Sequence, residues 1–398
     1  MAGQPGVWRK RIAAEVNHMH ESNVALWAIG NLREQMRRDG LGACLISTPM
    51  NVSYLSGVGI GGYIGLANDV AYLLLTESEA TLVVAESTGV TSTDWLSVVP
   101  YQDYNIHRDI EPRGEALAAL TAAIGKLRGA GRVGAEVRHL PAMAWQSLTA
   151  CNGVTEVVDI SSRLSGLRAI KHPAEVEAIE RSVHTTDAMF EAVQQSIGAG
   201  NSEIDVYLVC SRVVATESHG MAMLSGDFVS GERSALIGGP PSPRRLHHGD
   251  LLIVDIFPRV GAYWADTTRT YSVGVPSQAV LDRHAVLEAA LAAGEAAARP
   301  GVPCRDLYGV VKNVIAKAGF GDYFPHHAGH CVGLTPSEDP RIIPGSTAVL
   351  REGMVFTLEP GVYPPGEQGM RLEDNFVVTT DGCRSLSRFP RKLIVLEA

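Results

Sequence analysis

The chain has 398 residues, more than one core usually holds, which points to two domains. Hydrophobic residues make up 45% and charged residues 19%, a balance that excludes a chain disordered from end to end. Lys+Arg 34 against Asp+Glu 43 leaves a net charge of −9, which argues against nucleic acid or an anionic membrane as the main partner. No apolar run approaches the ~18–20 residues that span a bilayer. Arg9, Lys10 and Arg11 are followed by Ile-Ala-Ala-Glu-Val-Asn-His, not by the apolar stretch of a signal peptide. Six scattered cysteines without a CxxC pair suit free thiols in a reducing compartment, so a cytoplasmic location is expected.

Residues 1–20 lack periodicity and read as an N-terminal arm. Leu26, Ile29, Leu32 and Met36 carry helical spacing over about 24–38, and Gly40 is a stop signal. Strand-like runs at 41–46, 70–75, 81–85 and 133–135 then alternate with helical stretches at 115–127 and 142–150, an α/β pattern that fades near 163–171. His172-Pro173 opens a new helix with Val176, Ile179, Val183 and Phe190 on one stripe. The expected domains are therefore 21–167 and 168–398. In the second, helices at about 279–298 and 304–318 sit among strand-like runs at 251–257, 268–273, 354–358 and 376–379.

The chemistry lies in this second half. Asp255 ends the apolar run Leu-Leu-Ile-Val-Asp, and a carboxylate in a run that should be buried is costly unless it is paired or ligates a cation. Asp266 follows eleven residues later, and a hairpin would bring the two together on adjacent strands. His330, in His326-His327-Ala-Gly-His330-Cys331, Glu359, in Leu-Glu-Pro-Gly, and Glu373, in Arg-Leu-Glu-Asp-Asn, also lie in or beside expected strands. Singly, each is explained by a turn cap or a satisfied core residue. Together, two Asp, one His and two Glu are a set able to hold two divalent ions, which activate water and polarise a carbonyl. An oxygen-rich set with one imidazole suits Mn, Fe or Co, with Zn as a further option. Cys331 points to the other face of its strand from His330 and is not counted as a ligand.

The phrases ADTTRT, GHCVGL, LEPGVY and MRLEDN, in this order, closely resemble the pita-bread metallopeptidase superfamily, which includes aminopeptidase P, prolidase, methionine aminopeptidase and creatinase. The resemblance covers 168–398, and Met50-Asn51-Val-Ser-Tyr54-Leu55-Ser-Gly57 resembles the N-terminal domain of the creatinase and prolidase branch. It implies an α/β N-terminal domain followed by an α+β pita-bread catalytic domain. It makes Asp255 a ligand of one ion, Asp266 and Glu373 bridging carboxylates, and His330 and Glu359 ligands of the other, with Glu359 also the proton acceptor. It also implies a homodimer, in which Tyr63, in the glycine-rich stretch 60–67, is a candidate substrate gate. Arg371 is a candidate for orienting a carboxylate ligand or a substrate acid group.

Two departures stand out. Peptidases of this superfamily carry two further histidines, and Gly238 and Ser337 occupy their positions here. Such donors stabilise a developing oxyanion by ~3–4 kcal/mol each. Ser337 is the candidate replacement for one; His219, His326, His327 or Tyr263 are candidates for the other. The leading expectation is therefore a dinuclear metal-dependent hydrolase that cleaves a C–N bond of a specialised small substrate. An Xaa-Pro peptidase, a metal-dependent lyase acting on a small acid and a non-catalytic scaffold are the alternatives.

Overall fold

The computed structural model describes residues 22–60, 70–127, 129–218 and 223–397. The chain divides between Leu167 and Arg168 into two compact units.

In the first unit, α1 (Ser22–Asp39) leads into β1 (Ala43–Ile46) and the short helix α2 (Pro49–Ser56). Then come β2 (Tyr72–Thr76), β3 (Ala80–Ala85), β4 (Ser97–Tyr101), α3 (Pro112–Ile124), β5 (Gly131–Ala135), α4 (Ala142–Thr149) and β6 (Val154–Asp159). The sheet runs β4-β3-β2-β1-β5-β6. Leu45, Val83 and Val133 from its strands pack with Leu120 of α3 and Leu148 of α4. The phrase around Met50 forms α2, and buried Glu136 beyond β5 holds that helix's start. Its carboxylate accepts from Ser47 N at 2.7 Å, Thr48 N at 2.8 Å and Thr48 Oγ1 at 2.6 Å, and also from Asn51 Nδ2. A negative charge at a helix N-terminus is favourable, so this contact is architectural.

Helix α5 (Ser161–Ala169) crosses the division, in the stretch where the sequence pattern fades. The second unit continues with α6 (Pro173–Ser196), α7 (Glu203–Glu217), β7 (Met223–Ser230), β8 (Leu251–Val260), β9 (Tyr263–Trp264) and β10 (Thr267–Val273). Next are α8 (Gln278–Ala297), α9 (Cys304–Lys317), β11 (His330–Cys331), β12 (Glu338–Arg341), β13 (Val355–Leu358) and β14 (Gly361–Val362). The unit closes with β15 (Met370–Arg371), β16 (Asp374–Val378), β17 (Cys383–Ser385) and β18 (Ile394–Leu396). One sheet runs β18-β10-β8-β7 with β9 on β8; a second runs β12-β11-β13-β16-β17; β14 and β15 form a two-stranded pair.

The alternation of strand side chains sets where the polar groups go. On β8, Leu252, Val254 and Ile256 pack with Phe190 and Val193 of α6 and Val206 and Cys210 of α7. Asp255 and Ile253 therefore face the other way, and Ile253 meets Val229 and Tyr363 there. In the second sheet, Phe356, Leu358 and Phe376 pack with Leu287 and Leu291 of α8 and Val311 of α9. Thr357 and Asn375 are left on the opposite face, and Glu359 and Glu373 continue that alternation just beyond β13 and just before β16. The non-helical faces of the two sheets thus carry the acidic residues, and Glu373 N donates to Thr268 O between them at 3.1 Å.

Candidate metal centre

The predicted hairpin forms: β8 and β10 pair antiparallel with Asp255 opposite Thr268, and Asp266 lies just before β10. Asp255, Asp266, His330, Glu359 and Glu373 are all buried, none more than 7% exposed. Asp266, His330 and Glu373 each offer a ligand atom within 4.8 Å of the others. His330 Nε2 is 3.3 Å from Asp266 Oδ2 and 3.7 Å from Glu359 Oε1. Its Nδ1 lies 3.0 Å from the carbonyl of Cys331. A carbonyl only accepts, so Nδ1 carries the proton and the Nε2 lone pair faces the carboxylates, the tautomer a ligand needs.

Carboxylates brought together away from water repel one another. Burial first, and then the neighbouring carboxylates, push Asp266 and Glu373 well above the ordinary range; burial raises Asp255 too. Glu359 goes the other way: burial would raise it, but His327, His330 and His326 around it outweigh that and hold it at about 2. Asp255 Oδ1, Asp266 Oδ1, Glu359 Oε1 and Glu373 Oε1 are buried without a hydrogen-bond partner. Four acceptor atoms of this kind with one imidazole nitrogen are the donor set a hard or borderline divalent cation takes up. The residues present fit the group.

A surrounding layer holds these atoms in place. Thr268 Oγ1 donates to Glu373 Oε2 at 2.8 Å and accepts from Arg371 Nε at 3.2 Å. Arg371 is buried; its Nη2 donates to Asp255 Oδ2, and its Nη1 to Tyr363 Oη at 2.7 Å and Ile237 O at 2.8 Å. Burial works against its charge, yet Tyr363, Asp255 and Glu359 hold its pKa well above the ordinary value. His327 Nδ1 stands 2.8 Å from Glu359 Oε1, off the line of a good hydrogen bond. His326 Nδ1 donates to the His327 carbonyl at 2.7 Å, which leaves Nε2 to accept from Tyr363 Oη at 3.2 Å. Burial lowers His326 to about 4, so it is neutral in this chain of bonds. Burial likewise pushes the Cys331 thiol up to about 12, and Cys331 packs among apolar side chains away from the acids.

The other sequence candidates are less close. Ser337 is exposed, its carbonyl accepting from Thr335 Oγ1 at 2.8 Å, while buried Glu338 beside it pairs with Arg168 and Lys171. Gly238 lies against the carboxylate of Asp227. Tyr263 is buried and donates to Glu175 at 2.9 Å. Tyr63 and His219 fall outside the described residues. Sequence reasoning missed Tyr363, although it closes the quoted phrase LEPGVY four residues after Glu359. It also missed Thr268 and Asp227, which only the strand register brings in.

Fold and site together define a two-part, metal-dependent hydrolase. Residues 177–380 match the model of metallopeptidase family M24, and residues 29–170 match that of the creatinase/prolidase N-terminal domain. The chain belongs to metallopeptidase family M24, and the expected order, an α/β N-terminal domain before a pita-bread catalytic domain, is the one found. It is 30% identical over 361 residues to a protein named Xaa-Pro dipeptidase from Pyrococcus furiosus, covering 90% of this chain and 97% of that one. It is 35% identical over 274 residues to a probable dipeptidase, PepE, from Mycobacterium tuberculosis, covering 68% of this chain and 72% of that one. Among solved structures, an Xaa-Pro dipeptidase from Bacillus anthracis superposes with a TM-score of 0.80 at 25% identity, covering 94% of this chain and all of that one (100%).

Proposed function

We propose that Asp255, Asp266, His330, Glu359 and Glu373 hold two divalent ions (Mn, Fe, Co or Zn), and that the protein hydrolyses an amide-type C–N bond of a small, specialised substrate. The observation that supports this is the set of four buried carboxylate oxygens without hydrogen-bond partners, with Asp266, His330 and Glu373 able to offer ligand atoms to one ion and Glu359 grouped with His326 and His327. When bound, the ions supply a Lewis acid and make water a better nucleophile near neutral pH. Asp255, Asp266, Glu373, His330 and Glu359 would together hold these ions. Glu359 accepts the proton from water and passes it to the leaving nitrogen; its carboxyl lies below the ordinary range and is therefore ionised, which is what a proton acceptor needs. Arg371 and Thr268 orient the ligand carboxylates of Asp255 and Glu373.

An Xaa-Pro dipeptide is the second reading, favoured by the names of relatives that match most of the chain. Gly238 and Ser337 weigh against it, because neither provides an imidazole donor for an oxyanion. Tyr63 and Ser337 stay as candidate substrate contacts on sequence grounds alone. A homodimer is inferred from the resemblance, and a cytoplasmic location from the six free cysteines. Among the described residues, no helix is long and apolar enough to cross a membrane.

The test is turnover by the metal-loaded chain of two panels, Xaa-Pro dipeptides and small amides or amidines. Hydrolysis of the second panel with slow or no cleavage of the first is expected. Rapid cleavage of Gly-Pro would overturn the specialised-substrate reading, and no hydrolysis of either panel would count against the C–N bond itself.

A further inference from the structure

Asp227 is outside the proposed ligand set, yet it stands on β7 directly opposite Asp255 on β8. Paired residues on neighbouring strands project from the same face, so its carboxylate points to the side of the sheet that carries the metal centre. Its side chain is 31% exposed where that of Asp255 is 7%, which places it at the rim. Gly239 N donates to Oδ1 at 2.9 Å. Arg371 Nη2 is 3.5 Å from Oδ2, too long for a strong bond, and Arg371 spends its nearer donors on Asp255, Tyr363, Ile237 and Thr268. Among the described residues, Oδ2 has no closer donor.

The loop that follows β7 is shaped around this carboxylate. A Cβ at position 238 would fall 2.1 Å from Asp227 Oδ2 and 2.5 Å from its Cγ, so any side chain there would force the carboxylate to move. Gly238 is not among the residues with positive φ, so room for Asp227, not backbone conformation, calls for glycine. Ile237 before it holds φ 74°, which a β-branched residue adopts only under strain, and its carbonyl is fixed by Arg371. The loop is also anchored from behind. Arg233 donates to the carboxylate of buried Glu203, to Ser242 Oγ at 3.0 Å and to the Pro240 carbonyl at 3.0 Å. Leu236 and Ile237 present exposed apolar side chains in the same loop. A carboxylate with one oxygen fixed by Gly239 N, the other held only by the long Arg371 contact and part-exposed, with bare glycine over it and apolar neighbours, is an arrangement that can receive a second cation carried on an aliphatic stem.

We propose that Asp227, with the space left by Gly238, forms a subsite for a guanidinium or ammonium group of the substrate. This deepens, and rests on, the hydrolytic reading of the same centre: the favoured substrate is a cationic amide, and Asp227 determines that preference.

Calorimetric binding of L-argininamide and of its uncharged isostere L-citrullinamide to the metal-loaded full chain tests this. Argininamide is expected to bind about tenfold or more tightly, the scale of a charge-assisted hydrogen bond. In Asp227→Asn, which keeps an acceptor for Gly239 N, the ratio falls to within about twofold. Gly238→Ala, which forces the carboxylate aside, lowers the ratio in the same way and guards against a folding defect peculiar to one variant. A ratio near one in the unaltered protein, no argininamide binding at millimolar concentration, or a ratio that survives both variants overturns the proposal; the last would leave Asp227 a brace for Arg371. Binding is read without turnover, so the two failures are distinct. A protein that hydrolyses neutral amides with no charge preference keeps the hydrolytic reading and loses this one. One that prefers argininamide but hydrolyses no amide does the reverse.

Discussion

Replacing Arg371 with Met removes the guanidinium while keeping much of the buried volume. In the metal-free chain this leaves Asp255 buried with neither of its oxygens partnered, since Oδ1 already has none and Oδ2 loses Arg371. Breaking a buried ion pair from one side costs about 3–5 kcal/mol. At roughly 2–4 °C per kcal/mol for a unit of this size, the melting temperature should fall by about 6–20 °C. If Asp255 holds metal as proposed, the bound cation compensates its carboxylate. The remaining cost is then the hydrogen bonds lost by Tyr363 Oη, the Ile237 carbonyl and Thr268 Oγ1, about 1–3 kcal/mol. The variant should therefore show a larger metal-induced rise in stability than the unaltered protein, measured as paired melts in chelator and in saturating Mn. Equal losses in the two conditions, or a metal-free loss below about 1 kcal/mol, would refute the pairing of Arg371 with a ligand carboxylate.

Further outcomes follow from the same geometry. Thr268→Val removes the donor to Glu373 Oε2 and should weaken metal binding by about 10–100-fold in a chelator competition; unchanged affinity would show that Thr268 does not hold the ligand. Glu359→Gln should lower kcat by about 10²–10⁴-fold at saturating metal, and a loss under about tenfold would remove Glu359 as proton acceptor. Glu175 is buried at the start of α6, and desolvation raises its pKa from 4.5 to about 7 against the opposing bonds from His172 N and Tyr263 Oη. Its folded pKa lies above its unfolded one, so its contribution to stability is fully present below pH 4.5 and is lost as pH rises through about 7. Urea midpoints should then show Glu175→Gln gaining about 3 kcal/mol on the unaltered chain between pH 4.5 and pH 8, and a constant difference would contradict the shift.

Much of the site was legible because burying a carboxylate is costly, and the sequence shows where that happens. Asp255 interrupts an apolar strand, Glu359 ends one and Glu373 precedes one, so alternation alone assigns them to a polar face. The hairpin that unites Asp255 with the region of Asp266 followed from their spacing and forms as β8 and β10. Other elements carried weaker signals. β4 and β6 are the two edge strands of the first sheet and only partly buried, so they show no strong apolar period. β7 reads Met-Leu-Ser-Gly-Asp-Phe-Val-Ser, and Gly226 within it lies where a Cβ would meet the Asp255 carbonyl at 2.2 Å. Close strand approach put a glycine where a strand signal was needed, and it hid Asp227 along with the strand. Helix α2 is short and its start is anchored by Glu136, 85 residues away from Asn51, so local spacing carries little signal for it. The His326–Tyr363–Arg371 chain also depends on residues far apart in sequence, which spacing cannot bring together.

Five side chains holding a pair of cations is the central requirement of the proposed chemistry. Elemental analysis of the purified chain, equilibrated with Mn or Co and freed of excess ion, measures this directly. Two equivalents per chain are predicted, falling by at least one in Asp266→Asn and in Glu373→Gln. No bound metal, or two equivalents undiminished in both variants, would contradict it.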